Sequence, residues 1–127
     1  MIRALLLSLL LACARDPNAP PELKYDHEAC DHCGMLISDP KHAAALTTPD
    51  GETLGFDDPG CLFSYMMQHP AKYNHLWFSD GTRWYTEAEV GFTTGATTPM
   101  GSGLQAVSKA TPGALSVGEA SSRLVGR

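Results

Sequence analysis

The chain has no run of lysine or arginine, and nowhere do aromatic and basic side chains interleave. Its 9 basic residues are outnumbered by 14 acidic ones, for a net charge of −5. Recognition of a phosphate backbone depends on a basic patch, so nothing here points to nucleic acid as a partner. An acidic balance is compatible with attracting metal cations, though weakly so on its own. Also lacking is any apolar stretch of the roughly 20 residues that a membrane-spanning helix needs. A zinc knuckle would require a second Cys-x-x-Cys or a histidine pair, and the sequence offers neither. No nucleophile, general base and oxyanion-stabilising group fall into a recognisable pattern.

The start of the chain reads as a targeting segment. A short positive head ending at Arg3 precedes an apolar run over residues 4–12, which fits the core of a secretory signal. The run ends Leu10-Leu11-Ala12-Cys13, which resembles the bacterial lipobox, where the cysteine carries a lipid and becomes the first residue after cleavage. An ordinary signal peptide cut near Ala12 or Ala14 is the alternative. The expected organisation is a signal peptide at 1–12, a lipidated Cys13 with a flexible tether at 13–24, and one metal-binding domain at 25–127. Three prolines and no apolar periodicity mark residues 14–24 as an extended linker. The protein is thus expected to be exported and held by its lipid at a membrane, facing the periplasm or cell exterior. With Cys13 lipidated, three cysteines remain: Cys30, Cys33 and Cys61. An odd number of thiols in an oxidising compartment leaves at least one unpaired, which favours metal binding or redox work.

Element signals predict an α+β fold of small antiparallel sheets with two or three short helices. Residues 30–35 read as a knuckle in which Gly34 is free to take positive φ. Short strands are predicted at 35–37 and 42–47. A Thr-Pro-Asp-Gly turn at 48–51 leads into a strand at 52–56, making a hairpin. The clearest helix is 59–69, with Asp58 as N-cap, Pro59 in the first position and Pro70 as its stop. A buried strand at 76–78 follows, with 83–85 pairing back on it. A capping box at Thr86 and Glu89 predicts a short helical turn. Residues 93–103 read as a loop of small residues, 104–107 as a strand, and Ser116 with Glu119 as the cap of a final helix. The order strand–strand–helix–strand occurs at 42–79 and, more weakly, again at 83–122.

Soft ligands concentrate in Cys30-Asp31-His32-Cys33-Gly34-Met35. Two thiols three residues apart can reach one ion across a turn. Zinc uses the same spacing, and Cys61 with a histidine could complete a zinc set, but a thioether is a poor zinc ligand and a good Cu(I) ligand. Met100 sits in Thr98-Pro99-Met100-Gly101-Ser102-Gly103, without the apolar neighbours of a core methionine. Its loop would hold the sulfur at the surface; plugging a hole in the core is the other reading. Cys61 falls in the first turn of the predicted helix, where the dipole favours thiolate; it could be a third ligand or a small buried hydrophobe. Met66 and Met67 read as core, and His32 and His42 as surface or supporting residues. Asp58 is explained as a cap and Asp57 by solvent exposure.

Taken together, C-D-H-C-G-M-L-I-S-D at 30–39, A-A-A at 43–45, G-E-T-L-G-F-D-D-P-G-C-L-F-S-Y at 51–65 and T-P-M-G-S-G-L at 98–104 resemble the NosL family. Those proteins are copper-binding lipoproteins that help assemble the copper centres of nitrous oxide reductase. The resemblance spans about residues 30–107. It implies export with lipidation, repeated ββαβ units, and one Cu(I) held by cysteine and methionine sulfur. Carried to this chain, it ranks Cys33, Met35 and Met100 first as ligands, then Cys30, then Cys61. It also implies a partner: a copper-dependent respiratory enzyme or its assembly machinery. The expectation is a copper chaperone that is not an enzyme. Two alternatives stand beside it. One is a thiol enzyme, either a disulfide oxidoreductase or a lyase on mercury–carbon bonds like the organomercurial lyase whose domain the family fold resembles. The other is a structural zinc or disulfide module.

Overall fold

The computed structural model describes residues 16–125. The expected signal segment and Cys13 lie outside the described residues. Eight elements follow in order: β1 (Ala44–Thr47), β2 (Thr53–Phe56), α1 (Pro59–Gln68), β3 (His75–Ser79), β4 (Trp84–Thr86), β5 (Val90–Thr93), β6 (Gln105–Ser108) and α2 (Val117–Val125). The first four strands form one antiparallel sheet in the order β2-β1-β3-β4, and β5 pairs with β6 in a second. Among the described residues, no helix is long and apolar enough to cross a membrane.

β1 is one of the two inner strands, and all four of its residues are buried. That is why its Ala44-Ala45-Leu46 reads as an unbroken apolar run rather than an alternation. Ala44 stands opposite Phe56 on one side and Phe78 on the other. Across these strands lies α1. Its Phe63 ring is 5.6 Å from Phe78 and 5.9 Å from Phe92 of β5, and Phe78 meets Phe92 edge-on at 4.9 Å. These three rings join both sheets to one helix. Aromatic pairs of this geometry each contribute about 0.5–1.5 kcal/mol beyond their area burial. On the N-terminal side of the expected domain start, Pro21 is buried and Leu23 packs against the same core.

The α+β class and the hairpin, helix and pairing predicted for 42–85 are present. The predicted strand at 35–37 is not: only Leu36 bridges, to Ala29. The facing segment cannot extend the ladder because it turns at Asp26, whose φ is +65°. At 86–89 the box forms, with Glu89 accepting from the Thr86 N–H at 3.2 Å and its hydroxyl at 2.9 Å. It closes one turn and no helix, because the next residues, Val90, Gly91 and Phe92, are buried in β5. The sequence reading missed β5. Gly91 weakens its strand signal, and glycine is there for close approach: a Cβ would lie 2.8 Å from the Ala114 Cβ. The second repeat runs only as ββα, through β5, β6 and α2, with no strand after it among the described residues. Met67 corrects its core assignment, being 53% exposed, while Met66 packs partly against the core.

Candidate metal centre

Two stretches build the site. The first is the knuckle, closed by the Cys30 N–H donating to the Met35 carbonyl at 2.7 Å and the Gly34 N–H donating to the Cys30 carbonyl at 3.0 Å. Gly34 has φ +78°, a conformation that favours glycine. The knuckle is pinned to β2 through Asp31. Its N–H donates to the Gly55 carbonyl at 2.9 Å, and its carboxylate accepts from the Gly55 N–H at 2.8 Å. The second stretch is the corner from β2 into α1. Phe56 ends the strand, Asp57 and Asp58 turn inward, and Pro59 opens the helix that carries Cys61 in its first turn.

Pinning one stretch on the other brings Cys30, Cys33, Asp57 and Cys61 together, with one ligand atom from each lying within 4.8 Å of all the others. A metal ion could be held there. All three cysteines are free thiols. Cys30 and Cys61 are buried, and Cys33 forms the more open side. The Cys33 thiol donates to Asp57 at 3.4 Å, and the Cys33 N–H points at the Cys30 sulfur at 3.5 Å. The placement of Asp57 is a correction: it is 2% exposed and faces the thiols, not solvent. The signal for it was an acidic residue between a buried strand end and a helix cap, which the presence of the capping Asp58 obscured.

The charges in this cluster are unevenly divided. The hydrogen bond from the Cys61 thiol pulls Cys30 well below the ordinary thiol range; burial opposes it, and backbone N–H groups of the knuckle and Asp57 add to it. Cys61 is pushed up, first by donating to Cys30 and then by burial. Burial raises Cys33, and it also raises Asp57, with the negative Cys30 sulfur adding to the effect on Asp57. Without a cation the pocket therefore favours a single thiolate, at Cys30. A bound cation would reverse this by compensating the other charges, and the remaining thiol protons would leave with its arrival.

Met100 reaches the same region by another route. Asp58 is wholly buried; one of its oxygens caps α1 through the Gly60 N–H at 2.8 Å, and the other accepts from the Met100 N–H at 2.9 Å. An open cleft of about 270 Å³ beside the cluster is lined by Cys61, Met100, His32 and Ser64 among others. Met35 does not line this cleft, and its side chain is 57% exposed. His42 is buried with its Nε2 3.7 Å from Asp39, outside the thiol cluster. The structure thus groups Cys30, Cys33 and Cys61, brings the Met100 loop alongside, and leaves the Met35 side chain out on the surface. No protein-family model, curated protein or solved structure matches the chain.

Proposed function

We propose that the chain binds one Cu(I) at the thiol cluster and passes it to a copper enzyme under assembly. The observation that carries this reading is the convergence of three free thiols from two separate stretches within 4.8 Å. Thiolate sulfur is a soft donor and Cu(I) a soft acceptor that is satisfied by two to four ligands. Cys30 is the ready thiolate and Cys33 the accessible one, so an ion arriving from solvent meets Cys33 first and then the buried pair. Met100 supplies a thioether at the rim. A partner's sulfur or imidazole enters as one of these ligands leaves, so the ion moves by ligand exchange with no catalytic step. The resemblance to the NosL family supports a lipid-anchored, exported protein and nitrous oxide reductase as the client.

Zinc is the principal competitor, since three thiolates and the Asp57 carboxylate make four donors. Titration of the protein against a chromophoric Cu(I) chelator, with zinc in excess, separates the two. One Cu(I) per chain, undisturbed by zinc, supports the proposal; displacement of copper by zinc contradicts it. A second reading draws on the Cys33–Asp57 hydrogen bond. As Cys33 sulfur bonds to the mercury of an organomercurial, its thiol proton would pass to Asp57 and from there to carbon, so that the mercury–carbon bond breaks, the hydrocarbon leaves and mercury stays on sulfur. Release of benzene from phenylmercury would support that reading, and its absence would remove it.

A further inference from the structure

We propose that Asp58 is a positioning residue that holds Met100 at the mouth of the thiol cluster, beyond its task as a helix cap. This rests on the copper reading above. A capping carboxylate needs one oxygen for the helix. Asp58 uses the other on a residue 42 positions away, the Met100 N–H at 2.9 Å. The Ser102 and Thr98 hydroxyls pair with each other at 3.4 Å and help hold the Asp58 carboxyl below its ordinary range. Two backbone donors, one from the loop and one from the helix, thus converge on one wholly buried carboxylate.

The loop itself is tightly tied. The Gly101 N–H donates to the Thr98 carbonyl at 3.1 Å, the Gly103 N–H to the Thr98 hydroxyl at 3.2 Å, and the Leu104 N–H to the Ser102 hydroxyl at 3.2 Å. It lies directly on the first turn of α1. A Cβ at Gly60 would stand 2.8 Å from the Ser102 Cβ, so only glycine admits this approach. Ser102 and Thr98 are buried, yet the Met100 side chain between them is 47% exposed and lines the cleft it shares with Cys61 and His32. Hydrogen bonds hold the loop backbone, and the thioether projects from it into the cleft. A ligand presented in this way needs little further ordering when the ion binds, and it can still swing aside to release it.

Asp58→Asn separates the two roles. Asparagine caps a helix as well as aspartate does, but its amide group would turn a donor towards the Met100 N–H. The test uses the full-length chain in detergent, comparing wild type, Asp58→Asn, Met100→Ala and the double variant. Cu(I) affinity is read by chelator competition, and backbone amide exchange at Met100 and Gly60 by NMR. The expected results are loss of protection at Met100 with Gly60 still protected, and about tenfold weaker Cu(I) binding in Asp58→Asn. In the Met100→Ala background the Asp58 substitution should then have no further effect. Gly60→Ala, which displaces Ser102 and keeps the carboxylate, should reproduce the single-variant loss.

An equal drop in both backgrounds would overturn the positioning role while leaving copper binding intact. So would a Met100 amide that stays protected in Asp58→Asn. Failure of wild type to bind Cu(I) would instead remove the copper reading, and the positioning role with it.

Discussion

Cu(I) affinity should rise steeply with pH through neutrality. Cys61 is raised because it donates to Cys30, and Cys33 is raised chiefly by burial. Both thiols therefore keep their protons across the neutral range, while Cys30 is already ionised. If all three sulfurs ligate, binding one Cu(I) expels about two protons. Each retained proton changes the binding free energy by about 1.4 kcal/mol per pH unit. Two protons give about 2.7 kcal/mol, or roughly a hundredfold gain in affinity per pH unit. The sign follows from the raised thiols: affinity is lowest at acid pH and climbs until pH passes their values, with no plateau at 7. Chelator competition at pH 6, 7 and 8 measures the slope, and an indicator dye in weak buffer counts the protons directly. A flat profile with no proton released would refute the assignment of Cys33 and Cys61 as thiolate ligands.

Asp57→Asn distinguishes copper from zinc. With Cu(I) held by sulfur alone, affinity should stay within about threefold of wild type, whereas zinc affinity should fall about tenfold or more on loss of an oxygen donor. Phe92→Ala should lower stability by about 3–5 kcal/mol, read by urea denaturation, because Phe92 is wholly buried and meets both Phe63 and Phe78. A loss below 1 kcal/mol would show that the three rings do not join the sheets as described. Burial pushes Asp58 up, but the Ser102 and Thr98 hydroxyls and the backbone hydrogen bonds from Gly60 and Met100 outweigh this and hold it below the ordinary carboxylate range. Its contribution to stability is thus present above the unfolded-state value of about 3.9 and is lost as pH falls from there through the lowered folded value. Asp58→Asn should flatten that part of the acid melting profile.

Much of the scaffold was legible because its signals are local. Asp58 and Pro59 mark the start of α1, Pro70 its end, and the Thr-Pro-Asp-Gly turn sets the hairpin. What escaped depends on distant partners. β5 exists because Gly91 lets its backbone approach residues near 109 and 114, and a glycine in a short run carries no strand signal. The 35–37 segment has strand composition but lacks a partner long enough to pair with. At the site, the thiols were visible as residue types, and the Cys-x-x-Cys spacing gave their local proximity. That Cys61 faces inward onto them could not be read, since a first-turn cysteine is equally suited to plain burial. Asp57 was misjudged for the same reason: its neighbour already explained the acidic pair. Met67 read as core from its place mid-helix beside Met66, yet it points outward and is 53% exposed.

The central claim is that sulfur from the knuckle and from the first turn of α1 meets on one monovalent copper ion. X-ray absorption at the copper edge, on the chain loaded with one equivalent of Cu(I), tests it most directly when wild type is compared with Cys61→Ser. The account predicts an all-sulfur shell in wild type and one fewer sulfur in the variant. A shell dominated by nitrogen or oxygen, or one that Cys61→Ser leaves unchanged, would contradict it.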